Sequence, residues 1–237
     1  QSGSIMELVG AQDDLVGGMT SIYHRSWFNL GDKKMFLSEL MSLLVVGHGQ
    51  VELRVPPDWM QGRSAFGGLQ AAVALASMRT LVPDMPLRTL QATFMAPMQG
   101  DKLAAKAIIL RAGKNTLHVE ARLIEGDETL GVVIAVFGNG RSSGIARTLQ
   151  QPVVDTSEAR TFPYLPGLTP TFTQYFNAEW LRGGFPFSNN PLPEIVARVG
   201  MHDQGMTTEA HVLALADCIP PVALSGLSKP AAGSTLT

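Results

Sequence analysis

The sequence predicts an α+β fold in which one long apolar helix lies on an antiparallel sheet, and in which the same order of elements begins a second time. Three observations predict it. The segment Ser64-Ala65-Phe66-Gly67-Gly68 follows a strand-like run and opens an unbroken apolar helix. Four strand-like runs come next, separated by turn residues. Near residues 172–224 a strand pattern and an apolar helix return.

Phe36 to Val46 reads as a short amphipathic helix, because Phe36, Leu37, Leu40, Leu43 and Leu44 recur at intervals of three and four. Gly47 and Gly49 are expected to stop it. Val51 to Val55 reads as a strand and Pro56-Pro57-Asp58 as a turn, with Asp58-Trp59 anchoring it. The main helix is expected from about Gly68 to Leu81, ended by Pro83. Strands are expected over Leu87–Met95, Lys102–Leu110, Thr116–Ile124 and Leu130–Phe137. Alternating Leu117, Val119, Ala121 and Leu123 mark a half-buried strand. Gly113-Lys114-Asn115 and Glu125-Gly126-Asp127 are too short for crossovers, so the last three strands form an antiparallel meander.

The expected layout is a tail over 1–34, a first unit over 35–141, a linker over 142–170 and a partial second unit over 171–237. Gln1-Ser2-Gly3-Ser4 reads as vector-encoded. In the second unit, strands are expected over Phe172–Trp180 and Glu194–Val199. A helix should run from Ala210 to about Leu224, capped by Thr207-Thr208, with Glu209 complementing its dipole. Ser234 to Thr237 has strand character. The second copy breaks off after its helix, so either it reads as truncated or its missing strands come from elsewhere. One helix with one or two strands cannot cover its own apolar face.

Composition narrows the functional classes. Of 237 residues, 45% are hydrophobic and 16% charged, and the net charge is −2 with no basic cluster. That leaves nucleic-acid binding without an electrostatic footprint. No apolar run reaches the length of a membrane span. A single cysteine, Cys218, rules out a disulfide within the chain, and a cytoplasmic location is the simplest expectation. Its neighbours Asp217 and Ile219 do not activate it, so it reads as a structural thiol. His48, His118 and His202 lack ligand spacing, and no metal or other cofactor is expected. His211 lies on a different helix face from Asp217 and reads as a packed or surface histidine. Met60, Met78, Met85, Met95 and Met98 read as core filler, with an acyl-tunnel lining as the sharper alternative.

The glycine pair carries the chemical signal. Without Cβ atoms, Gly67 and Gly68 let a ligand or another backbone come close to the amides of a first helical turn. Those amides, with the helix dipole behind them, suit a carbonyl oxygen that gains charge during reaction. Close helix packing selects glycine equally well.

Phe66-Gly67-Gly68-Leu69-Gln70-Ala71-Ala72-Val73-Ala74-Leu75 resembles the start of the first central helix in the type II, TesB-like acyl-CoA thioesterases. The run Leu87 to Met98 resembles that family's strand ending in a Phe-x-x-Pro turn, and Arg111 to Asn115 its next hairpin. Leu215-Ala216-Asp217-Cys218-Ile219-Pro220-Pro221-Val222-Ala223-Leu224 is similar to the family segment in which a helix aspartate precedes a Pro-Val-Ala-Leu stretch. The resemblance implies a double hotdog: two long helices, each wrapped by an antiparallel sheet. It implies hydrolysis of acyl-CoA to acid and CoA, with Asp217 activating water and Thr235 holding the water or the carboxylate (Ser234 is a weaker candidate). Phe66, Gly67 and Gly68 would bind the substrate, and the Gly68 amide would receive the carbonyl oxygen. The family's glutamine would lie beyond the strands present. Edge-to-edge pairing of sheets makes a homodimer or larger homo-oligomer an expectation.

Two other readings remain open. A hotdog hydratase or dehydratase needs an Asp-x-Asn-Pro-x-His type of pattern, and Asn189-Asn190-Pro191 lacks the histidine. A non-catalytic acyl-binding or assembly protein would keep the fold without the chemistry.

Overall fold

Small residues on both partners let a helix and a sheet approach closely, and this chain places them on both. The computed structural model describes residues 34–192 and 194–231. The described residues from Phe36 onward group as one unit. The first elements are α1 (Leu37–Ser42), β1 (Val45–Gly47), β2 (Gln50–Arg54), β3 (Met60–Gln61), β4 (Ser64–Ala65) and α2 (Gly67–Arg79). Next come β5 (Leu87–Phe94), β6 (Lys102–Ala112), β7 (Thr116–Glu125) and β8 (Glu128–Gly138). The second part holds β9 (Arg160–Thr161), β10 (Phe176–Gly183), β11 (Ile195–Met201) and α3 (Glu209–Asp217).

The main sheet has the order β1-β2-β6-β7-β8-β5, antiparallel throughout. The meander β6-β7-β8 forms as the short turns require. Strand β5 instead crosses to the far edge and pairs with β8, Ala92 opposite Val133. Inward positions alternate as expected: Val51 and Leu53 on β2, Val119, Ala121 and Leu123 on β7, Val133, Ala135 and Phe137 on β8. Leu117 is only half-buried. Cross-strand partners on this face include Ala105 opposite Val51 and Ala107 opposite Ala121.

Helix α2 lies on that face against β2, β6 and β7, with α3 on its other side. Eleven of its thirteen residues are buried, which explains why it shows no polar stripe. Each fully buried Leu or Val here contributes about 1.5–3 kcal/mol. The only polar side chains inside are satisfied: Gln70 Nε2 donates to the Ala65 carbonyl at 2.7 Å, and Ser77 Oγ to the Ala74 carbonyl at 2.7 Å.

Three local expectations need correction. The helix read over Phe36–Val46 stops at Ser42, because β-branched Val45 and Val46 join a hairpin with β2 whose turn uses Gly49 at φ +70°. The strand read from Phe172 begins at Phe176. Thr171–Tyr175 is a 3-10 turn after Pro170, so Phe172 and Tyr175, three apart, both reach the core. The helix read over Ala210–Leu224 ends at Asp217. Pro220 and Pro221 block its continuation, and a separate 3-10 turn follows at Val222–Gly226. Within the segment read as linker, Arg160–Thr161 pairs with β10. Ser234 to Thr237 and the N-terminal tail lie outside the described residues.

The second part is a three-stranded sheet, β11-β10-β9, with α3 following β11. Aromatic rings join it to the first: Trp59 stacks on Tyr175 at 4.6 Å and Phe66 on Phe172 at 4.0 Å. The Tyr175 hydroxyl also donates to Asp58, so Asp58-Trp59 anchors a turn as the sequence suggested.

Candidate active site

Helices α2 and α3 run antiparallel, and their ends define two junctions. At one, the first turn of α2 meets the last turn of α3. A methyl group on Gly68 would come 2.8 Å from the Ala214 Cα, so the backbones cross here in direct contact. A methyl group on Gly67 would come 2.6 Å from Asp217 Oδ2 and 3.2 Å from the Phe94 ring. The glycine pair therefore serves close approach of a neighbouring helix and of a carboxylate together.

The Gly68 N–H lies close enough to the Asp217 carboxylate to favour its charged form. The carboxylate caps the positive end of α2, where the unsatisfied amides and the dipole favour an anion. Its environment is two-sided: the residue keeps a solvent-open edge, while packed protein surrounds the carboxyl on the helix side. Loss of solvation on that side pushes the carboxyl above the usual carboxylate range, and the Gly68 amide only partly offsets it. Such a carboxylate is a stronger base than a free one and still reaches water.

The opposite junction is closed. Arg79, in the last turn of α2, donates from Nε to Glu209 Oε2 at 2.8 Å and from Nη2 to Oε1. Its Nη1 donates to the carbonyls of Val82 and Met85, and its guanidinium lies 4.8 Å over the Phe137 ring.

The other sequence-derived candidates fall into place unequally. Phe66 is fully buried, its ring stacked on Phe172 and edge-on to Phe176, so it offers the site backbone rather than side chain. Thr235 lies outside the described residues. Cys218 is half-buried, and its thiol is pushed up to about 11 by burial and by the adjacent Asp217 charge, which keeps it protonated. His211 is packed: its Nδ1 accepts from the Thr208 N–H at 3.2 Å, and its Nε2 donates to Asp203 Oδ2 at 3.0 Å. Thr208 caps α3 as expected. Met78 and Met98 are core, whereas Met95 is exposed.

Sequence reading missed Phe94 and Ala214 as neighbours of the glycines. In the sequence Phe94 marks only the start of a Phe-x-x-Pro turn, and nothing local marks Ala214. A groove of ≈ 400 Å³ opens on the outer sheet face between Val46, Glu52, Lys106 and Ile124, and holds none of these residues. Among the described residues no helix is long and apolar enough to cross a membrane, and no cluster of three metal-ligating side chains occurs.

Residues 55–138 match the family model of the acyl-CoA thioesterase N-terminal domain. Comparison with curated proteins gives no match. Among solved structures, a hot dog fold protein of unknown function from Alicyclobacillus acidocaldarius is similar over 83% of this chain and 74% of its own, with 19% identity and a TM-score of 0.68. A candidate thioesterase II from Thermobifida fusca YX is similar over 81% and 75%, with 15% identity and a TM-score of 0.63. A tesB protein from Mycobacterium avium subsp. paratuberculosis covers 77% of this chain and 68% of its own, with 13% identity and a TM-score of 0.55. These likenesses establish the hotdog fold.

Proposed function

We propose, from the match of residues 55–138 to the acyl-CoA thioesterase N-terminal domain model, that this protein hydrolyses acyl-CoA thioesters with Asp217 as the general base. The observation that carries the reading is the contact of Asp217 with Gly67 and Gly68. It brings a solvent-reachable base up against amides that suit an oxyanion.

The Asp217 carboxylate takes a proton from water, and the water oxygen attacks the thioester carbonyl carbon. The carbonyl oxygen, now negative, accepts from the Gly68 N–H. Collapse of the tetrahedral intermediate breaks the C–S bond. The proton held by Asp217 passes to the departing sulfur, giving a carboxylic acid and CoA thiol. A positioned base of this kind contributes on the order of 10²–10⁴ in rate, and one oxyanion donor on the order of 10²–10³. Thr235 would hold the attacking water or the carboxylate. The Phe94 ring beside Gly67 would border the first carbons of the acyl chain.

A thiol-release assay across a chain-length series of acyl-CoAs tests this. Free CoA thiol that disappears with Asp217→Asn supports hydrolysis. Loss of enoyl absorbance without thiol assigns a hydratase, and saturable binding with neither assigns an acyl-binding protein.

A further inference from the structure

Helix α3 is apolar nearly all round, yet only His211 and Ala214 among its nine residues are buried. Val212 is exposed. Apolar packing therefore holds α3 far less firmly than it holds α2. Besides the backbone crossing at Gly68 and Ala214 and the His211–Asp203 bond, what fixes α3 along its axis is a charged pair at the end away from Asp217. Glu209 and Arg79 meet through two parallel N–H···O bonds, the fork geometry that resists sliding. The guanidinium cannot follow a moving partner, because the carbonyls of Val82 and Met85 and the face of Phe137 hold it.

We propose that Arg79 and Glu209 are positioning residues that set the axial register of α3 on α2, and through that register deliver the Asp217 carboxylate to Gly68. The catalytic meaning rests on the hydrolase reading above; the mechanical meaning does not. A helix advances about 1.5 Å per residue. Asp217, at the far end of α3, therefore moves by the full amount of any slide at Glu209. The contact at Gly68 tolerates little of this, since Ala214 crosses there backbone to backbone. A misplacement near 1 Å at a reacting group costs on the order of 10²-fold in rate.

The test uses Glu209→Gln, a substitution on the exposed side of the first turn of α3, with Glu209→Asp as the conservative rescue. Two readouts are taken. One is the pH titration of the Gly68 amide resonance, which reports the ionisation of Asp217. The other is kcat and KM for acyl-CoA hydrolysis. In Glu209→Gln the Gly68 response is expected to shrink, and its midpoint to fall toward the ordinary carboxylate value as water reaches Asp217. The turnover number should drop about 10-fold or more, with KM little changed. Glu209→Asp should restore most of both. In a cycle with Arg79→Gln, the double variant should be no worse than either single one. An unchanged Gly68 titration and kcat in Glu209→Gln would overturn the proposal, as would a Glu209→Asp variant no better than Glu209→Gln. If the unaltered protein releases no thiol, the hydrolase reading fails, while the amide titration still decides the register.

Discussion

Asp217 Oδ2 lies 2.6 Å from the position a methyl group would take on Gly67, so the space left by one missing side chain is filled by the carboxylate of another helix. Gly67→Ala should push that carboxylate off the start of α2. The nearest obstacle is the end of a flexible side chain, the Phe94 ring at 3.2 Å need give only a few tenths of an ångström, and alanine has the better helix propensity, so stability should change little. Hydrolysis should fall on the order of 10²-fold, seen as kcat with KM nearly constant. Gly68→Ala meets instead the Phe66 ring at 2.7 Å and the Ala214 backbone at 2.8 Å. Neither gives way easily, and a loss of about 1–3 kcal/mol is expected from chemical denaturation.

Asp217→Asn keeps the shape and removes the proposed base. Thiol release should drop by on the order of 10²–10⁴ while acyl-CoA still binds. In the unaltered protein, activity should rise with pH through an inflection above the usual carboxylate range, because burial holds the acid form longer.

The same substitution should stabilise the fold at neutral pH. Folding raises the Asp217 pKa, so its favourable contribution is complete below the unfolded value of 3.8 and is lost as pH rises through the folded value. An uncharged asparagine avoids that loss. Thermal unfolding should show Asp217→Asn above the unaltered protein near pH 7.5, the two converging toward pH 3.8.

Asp203 should behave in the opposite sense. Burial alone would raise its pKa, but bonds from the Ser38 hydroxyl and amide, with His211, hold the carboxyl below the usual range. A depressed pKa contributes stability above the unfolded value, lost as pH falls through the folded one. Asp203→Asn should therefore be less stable at neutral pH, and the gap should close only below about pH 3.8.

Cys218 should react slowly with thiol reagents near pH 8, since its pKa is pushed up to about 11. Part of that shift comes from the Asp217 charge. Asp217→Asn should quicken the labelling, and an unchanged rate would show that burial alone protects the thiol.

What was legible in the sequence was local and periodic. Gly67-Gly68 opening an apolar helix, the alternation in Thr116–Ile124 and the short turns of the meander each follow from neighbours within a few residues. Even the small misreadings have local causes, such as Val45-Val46 preferring a strand and Pro220-Pro221 closing α3 early. The resemblance singled out Asp217 but carried no distance to Gly68. That distance is set by docking: the Trp59–Tyr175 and Phe66–Phe172 stacks, the backbone crossing at Gly68 and Ala214, and the Arg79–Glu209 pair. A chain's periodicity fixes which face of each helix is apolar. Only the packing of two helices against each other fixes how far one slides along the other, and that decides whether a carboxylate meets an amide.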